Sequence, residues 1–361
     1  NPWKTAEETI RQLKPDVYAK GKEFAELKDE TGKIQGEIEV LKSVGGKAYF
    51  TDTMIGSSSK LVNNYLNVYP KEAQYFLEQF RKNYTSEIIQ EKIKEISSLR
   101  VLVIGESIID EYQYGKPLGK TPKDNIIAMK YVNEERFAGG ALATANNVAG
   151  FCEHVHLLSL LGNETADREF VFSHLKSGVT PFFFYDSRPT IKKRRIVDPT
   201  FFQKISELCF LDDSPISHEL EDKIIKYLNE RIKKYDLVIV SDYGHGLITP
   251  AIVNILCSEA KFLAVNTQTN SANIGFNLIS KYNKADYVCI DEPETRLVIR
   301  DKYSDIRELP QKIMEIGDYK KVVVTAGHKG SLTYSKDEGF FEVPVFSEKI
   351  VDRMGAGDAY L

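Results

Sequence analysis

The sequence predicts an α/β protein built on a doubly wound, largely parallel sheet, and three observations carry that prediction. From Arg100 onward, short apolar runs of strand length alternate with segments whose apolar residues recur at helical spacing. Ahead of them, residues 71–98 place Tyr75, Phe76, Phe80, Ile88, Ile89, Ile93 and Ile96 near helical spacing without a Gly or Pro, which reads as a linker made of helix. Between 111 and 136 the alternation fails, and "EYQYGKPLGKTPKDNIIAMKYVNEERF" has the look of an antiparallel β ribbon, a lid inserted after the first strand.

Taken in order, residues 1–66 open with a helical start, "TAEETIRQLKPD", with Pro2 near it. A short strand-like piece "VYAKG", a charged helix-like stretch, "VGGKAYFTD" and "SSSKLVNNYL" follow. The helical linker spans 67–98 and a second domain 99–361. That domain begins with "RVLVIGESIIDEY", an apolar run ending in a turn, as expected of a parallel strand buried on both faces. The strand "HVHLLSLLG", the helix "HELEDKIIKYLNERIKKY", the strand "DLVIVSD" and the helix "TPAIVNILCSEA" come next. The strands "KFLAVNT" and "ADYVCID", the helix "DIRELPQKIMEIG" and the strand "KKVVVTAG" complete the alternation. In such a sheet ligands bind beyond the carboxyl ends of the strands, so the polar residues there are site candidates: Asp110, Asp242, Asn266, Asp291 and Thr325.

Composition narrows the function classes. Charged residues make up 28% and hydrophobic residues 42%, with a formal charge of −4, so no broad basic surface points to nucleic acid. No run approaches the roughly 18 apolar residues of a membrane span, and no membrane partner and a cytoplasmic location are expected. Cys152, Cys209, Cys257 and Cys289 form no CxxC pair and read as buried, reduced thiols. His154 and His156 share a strand face but have no accompanying carboxylate or cysteine pattern, so they read as ordinary strand residues. No GxxxxGK[ST] is present, and "VIGES" lacks the third glycine of a dinucleotide fingerprint, which argues against a P-loop enzyme and a dehydrogenase.

Five stretches carry candidate chemistry. In "RFAGGALATANNVAG", Gly139 and Gly140 let backbone approach a ligand, and Asn146 and Asn147 can bond polyol hydroxyls. "VSDYGHGLIT" ends a strand in an acid and a Gly-rich turn. In "CIDEPETRLV", Asp291 and Glu294 fall on one face of a helix start, where they could hold Mg²⁺ through water or serve as caps. "VVVTAGHKGSLTY" is a strand followed by a Gly-bounded turn of the type that covers a nucleotide. "VDRMGAGDAYL" sets Gly355, Ala356, Gly357 and Asp358 at a helix start, a ready place for an anion. In addition, Lys193 and Arg195 of the basic run "IKKRRIVD" would share one strand face, which could meet a phosphate.

From residue 100 onward "GESIIDEY", "FAGGALATANNVAG", "SDYGHGLIT", "DEPE", "VVVTAGHKG" and "DRMGAGDA" together resemble the ribokinase-like, or phosphofructokinase B, family of sugar kinases. The resemblance is strongest to the kinase domain of bifunctional heptose-phosphate kinase and nucleotidyltransferase enzymes. Residues 5–65, with "LKPD…KG" and "SSSKL", resemble the latter half of a cytidylyltransferase-like domain. The implied fold is a ribokinase-like three-layer α/β sandwich with a small β lid, preceded by a partial Rossmann-like nucleotidyltransferase piece and a helical linker.

The resemblance implies ATP- and Mg²⁺-dependent phosphorylation of a sugar or sugar phosphate, with heptose 7-phosphate the expected substrate. Another sugar of the family, or a silent nucleotide or sugar sensor, is the alternative. Asp358 would be the base, and the N–H groups of Gly355, Ala356 and Gly357 the anion hole. Asp110, Gly139, Gly140 and Asn147 would bind sugar hydroxyls, and Lys193 and Arg195 a phosphate on the sugar. Asp242, Asn266, Thr325, Gly327 and Gly330 would lie at ATP, with Glu294 and Asp291 organising Mg²⁺. A homodimer through the lid strands is implied as well. Three departures accompany the match. The transferase-like stretch lacks any HxGH motif and by itself should be inactive, domain order is reversed from the common arrangement, and His245 stands where the "DYxKG" motif has lysine. Three residues after Asp358 are too few to complete the following helix, so the chain is expected to be an internal piece of a longer bifunctional protein, weakly active or inactive as given.

Overall fold

The structure is a computed structural model and describes residues 6–21, 33–51, 69–347 and 355–361. Two compact units divide the chain, Asn1–Tyr69 and Pro70–Leu361.

In the first unit, helix α1 (Glu7–Leu13) precedes strand β1 (Val17–Gly21), helix α2 (Lys33–Ser43) and strand β2 (Lys47–Thr51). The two strands pair in parallel, Val17 opposite Lys47 through Gly21 opposite Thr51, so α2 is the crossover of a small β–α–β unit. Ile10, Val40 and Leu41 form its buried centre. Glu37, almost fully buried, accepts hydrogen bonds from the Ala6 amide and the Tyr18 hydroxyl and pairs with Lys20 at 3.0 Å. Those donors hold the Glu37 carboxyl below its ordinary range against the opposing effect of burial. Pro2 and the "SSSKL" segment lie outside the described residues.

The second unit starts at Pro70 and takes in the segment expected to be a separate linker. That segment is two helices, α3 (Lys71–Asn83) and α4 (Ser86–Ser97). Tyr84 is extended and the Thr85 side chain accepts the Ile88 amide, so a hydroxyl cap starts a new helix where apolar spacing alone suggests continuity. Helix α4 buries none of its residues.

A nine-stranded sheet follows, built from β3 (Arg100–Gly105), β6 (His154–Leu161), β7 (Val179–Tyr185), β10 (Leu237–Asp242), β11 (Leu263–Thr267), β12 (Lys284–Asp291), β13 (Asp318–Thr325), β14 (Ser331–Ser335) and β15 (Gly339–Val343). Its order is β15-β14-β13-β12-β11-β10-β3-β6-β7. The seven strands from β13 to β7 pair in parallel, and β14 and β15 close one edge antiparallel. Alternate residues of β3 feed separate cores. Leu102 and Ile104 pack with helices α7 (His218–Arg231) and α8 (Pro250–Glu259), whereas Val101 and Val103 pack with α5 (Ala141–Val148) and α6 (Thr165–His174). The result is the three-layer arrangement expected from the sequence.

A second sheet, ordered β5-β4-β8-β9, contains β4 (Ser107–Lys120), β5 (Ile127–Gly140), β8 (Ile191–Asp198) and β9 (Gln203–Phe210). The antiparallel β4–β5 ribbon is the one expected over 111–136, and β8 and β9 extend it. Cys209, expected to be buried, is exposed on β9, where every residue is exposed; the other three cysteines are buried. The chain leaves β3 toward β6 and β7 and returns on the other side through β10. The crevice where a doubly wound sheet receives ligand therefore opens beyond Gly105 and Asp242.

Candidate active site

A cavity of about 1000 Å³ lies at the carboxyl ends of the parallel strands, between them and the second sheet. Three walls form it.

The lid wall carries Ile108, Asp110, Gly140, Lys193 and Arg195. In register Asp110 faces Lys193 and Tyr112 faces Arg195, so Arg195 reaches Asp110 along the diagonal of the strand pair. The Arg195 guanidinium donates to Asp110 Oδ1 at 2.5 Å and pairs through Nε with Glu207 at 2.8 Å. Its charge, expected to face a phosphate, is answered by two carboxylates. Lys193, nearly buried, makes no ion pair among the described residues and lies 6.0 Å from the centre of the Tyr243 ring. A Cβ at Gly139 would fall 2.2 Å from Asp110 Oδ2, so glycine leaves that carboxylate its place. Asn147, expected at the sugar, is not among the residues lining the cavity.

The strand-end wall carries Asn266, Gln268, Thr269, Cys289, Asp291, Glu294 and Thr325. Asn266 Nδ2 donates to the Cys289 carbonyl at 2.7 Å. Asp291 is the N-cap of α9 (Glu292–Ile299): its Oδ1 accepts the Glu294 amide at 2.7 Å, while Glu294 Oε2 accepts the Asp291 amide at 3.0 Å. Glu294 Oε1 accepts the Thr269 amide at 2.8 Å. Burial, reinforced by the neighbouring Asp291, pushes the Glu294 carboxyl up to about 7, and burial also raises Asp291.

The capping reading and the metal reading of this acid pair are compatible. A carboxylate offers about four lone-pair sites, so backbone donors leave others for metal-bound water. Among the described residues no group of three or more His, Cys, Asp or Glu could hold a metal ion. Two carboxylates with lone pairs left over are the kind of donor set that Mg²⁺ accepts, since it keeps several waters and takes one or two carboxylates with substrate phosphates.

The third wall joins Ala326, Gly327, His328, Gly330 and Ser331 to Gly355–Asp358 and Tyr360. Gly355 has φ +71°, a left-handed value suited to glycine, and the short helix Ala356–Tyr360 follows it. Asp358 Oδ1 accepts hydrogen bonds from the Tyr243 hydroxyl and from Gln268 Nε2, the latter at 3.3 Å. Burial raises the Asp358 carboxyl above its ordinary range; Tyr243 opposes that shift, Asp110 adds to it and Lys193 opposes it.

Asp242, expected at the nucleotide, is instead fully buried and does not line the cavity. It pairs with Lys281 at 2.5 Å and accepts from the Tyr282 hydroxyl at 2.6 Å and the Gly244 amide at 3.1 Å. Tyr243, Gln268 and Glu106 were not picked out in the sequence. Tyr243 lies within a quoted motif and Gln268 just past a strand end, both positions where a signal was present. Glu106 also lies within a quoted motif, directly after β3, but its role depends on partners distant in sequence, the Tyr243 and His245 amides.

Comparison with known proteins agrees with this architecture. The bifunctional protein HldE of Geobacter metallireducens is 26% identical over 73% of this chain and 54% of its own length. That of a Nitratiruptor species is 25% identical over 73% and 55%. The chain thus spans about half the length of the curated relatives it matches. Among solved structures, ribokinase from Thermotoga maritima is similar with a TM-score of 0.56 and 22% identity, covering 72% of this chain and 82% of that one. Phosphofructokinase-2 from Escherichia coli matches with a TM-score of 0.56 and 14% identity, covering 72% and 83%. At these identities the structural likeness establishes a ribokinase-like fold. The family described as pfkB family carbohydrate kinase matches residues 98–361, most of the chain and all three walls of the cavity, and the protein belongs to that family of sugar kinases.

Proposed function

We propose that the protein transfers the γ-phosphoryl group of ATP to a hydroxyl of a sugar phosphate, with heptose 7-phosphate as substrate. The observation that carries this reading is the position of Asp358, on a cavity where the lid wall offers a buried lysine and where a glycine-bounded turn shares the wall of Asp358. Asp358 takes the proton of the acceptor hydroxyl as its oxygen attacks the γ-phosphorus. The bond from that phosphorus to the bridging oxygen breaks, and ADP leaves. The N–H groups of Gly355, Ala356 and Gly357 receive charge developing on the transferred group. Asp110, held by Arg195 and given room by Gly139, orients the sugar hydroxyls beside Gly140, while Lys193 supplies positive charge for a phosphorylated acceptor. Asn266, Thr325, Gly327 and Gly330 line the nucleotide end. Mg²⁺ held through water by Glu294 and Asp291 would neutralise charge on the ATP phosphates.

The likeness to bifunctional relatives favours a heptose phosphate. The parallel β1–β2 pair across α2 supports reading residues 1–66 as part of a nucleotidyltransferase domain. Exposed Tyr131, Phe137, Ile205 and Leu208 on the lid sheet support a homodimer through that sheet. ADP release by the full-length protein, measured with ATP, Mg²⁺ and a panel of free and phosphorylated sugars, tests the assignment. Turnover is expected with heptose 7-phosphate and not with the unphosphorylated heptose. Measurable ATP binding with no turnover on any sugar would replace the kinase by a sensor.

A further inference from the structure

Tyr243 is held from both ends. Its ring is 3% exposed, and its amide donates to Glu106 Oε2 at 3.0 Å. Its carbonyl accepts from Asn270 Nδ2 at 2.9 Å and from Asn273 Nδ2 at 2.7 Å. The same Glu106 accepts the His245 amide on its other oxygen at 3.1 Å, so the whole turn after β10 is pinned to the end of β3. From that fixed base the phenol, which lines the cavity, donates to Asp358 Oδ1. Gln268 Nε2 addresses the same oxygen. Among the described residues, both donors to the Asp358 carboxylate converge on one oxygen.

We propose that Tyr243 is a positioning residue for Asp358: its hydroxyl occupies Oδ1, fixes the rotation of the carboxylate and leaves Oδ2 to accept the proton of the acceptor hydroxyl. This rests on the reading of Asp358 as the base. A carboxylate free to rotate would offer either oxygen in any direction, and a proton acceptor must lie within hydrogen-bond reach of the proton it takes. The phenol suits the task because it stays protonated: burial first, and then the adjacent Asp358 charge, push its ionisation well above the ordinary tyrosine range. The charged groups facing Asp358 are Asp110 and Lys193, which act on its ionisation in opposite directions. Tyr243 adds a donor aimed at one atom, and its contact joins residues 115 positions apart.

Tyr243→Phe in the full-length protein removes this donor and keeps the buried ring. The kcat for sugar phosphorylation should fall about tenfold, with KM values for ATP and sugar changed less than about twofold. Losing a donor to the carboxylate raises its pKa, so the acidic limb of the kcat profile should move up by about one pH unit. Titration of Asp358 by ¹³C NMR without substrate should show the same upward displacement, and this reading requires no turnover. If no sugar is phosphorylated but the Asp358 titration moves, the kinase assignment fails while the contact stands. An Asp358 titration identical in parent and variant overturns the inference whatever the kinetics. Should Tyr243→Phe fail to fold, 3-fluorotyrosine at position 243 keeps the shape and strengthens the donor. Asp358 must then titrate at lower pH, and an unchanged titration again overturns the inference.

Discussion

Two stretches of this protein set glycine near aspartate, Asp242–Gly246 at the end of β10 and Gly355–Asp358 at the start of the last helix described, and the fold treats them in opposite ways. Asp242 is fully buried, and Lys281, the Tyr282 hydroxyl and the Gly244 amide answer its charge. Asp358 faces the large cavity and makes no ion pair among the described residues, and burial raises its pKa. Both acids follow the pattern of a ligand-binding turn in sequence. The difference teaches that the counter-charge separates scaffold from chemistry. An aspartate paired with a cation inside the protein is held in place, whereas one left without a cation at a cavity keeps its lone pairs for a substrate.

The largest expected effect tests the chemical side. Asp358→Asn keeps an oxygen for the Tyr243 hydroxyl but cannot take a proton, so kcat should fall by about 10³–10⁴-fold. ATP affinity should stay within about twofold. Because the folded protein disfavours the ionised Asp358, the melting temperature at neutral pH should be equal or slightly higher. A joint loss of turnover, ATP affinity and stability would make Asp358 a second scaffold acid and break the comparison. On the other side, Asp242→Ala leaves a buried phenol and the Lys281 ammonium without their partner. That should remove about 3–5 kcal/mol of stability, read by denaturant unfolding, while the folded fraction retains its ATP affinity. A variant as stable as the parent that no longer binds ATP would return Asp242 to the nucleotide site.

How far the sequence could separate these two turns depends on distance along the chain. The strands of the parallel core were legible because burial on both faces makes them continuous apolar runs, as in "RVLVIG" and "DLVIVSD". Strand β7 was not, since Pro181 interrupts it, which the sheet tolerates because β7 is an edge strand. Strand β9 is exposed along its whole length and so lacks a periodic apolar signal. At the site, glycines and acids at strand ends were readable locally. Their partners were not: Tyr282 lies 40 residues beyond Asp242, Arg195 85 residues beyond Asp110, and Tyr243 115 residues before Asp358. Whether Arg195 is free for a phosphate or committed to Asp110 and Glu207 follows from those long-range pairings alone.

The smallest expected effect sharpens the scaffold side, through Glu106. This carboxyl shares the dry turn with Asp242, and both its oxygens accept backbone amides. Lys281 pairs with Asp242, and no ion pair is formed by Glu106 among the described residues. Burial, and next the Asp242 charge, push Glu106 up to about 7. Its folded-state pKa thus exceeds its unfolded one, so its contribution to stability is complete below the unfolded value and is lost as pH rises through about 7. Glu294, also raised to about 7, acts in the same direction. Stability should therefore fall between about pH 5 and pH 8, with a Glu106 share on the order of 2 kcal/mol. Glu106→Gln places an amide against one of the two backbone N–H groups, so it should lower the melting temperature at pH 5 and shrink the drop between the two pH values. An undiminished drop in that variant would mean that Glu106 is ionised throughout beside Asp242. The buried turn would then hold two negative charges against one lysine, and counter-charge would no longer distinguish it from the turn at Asp358.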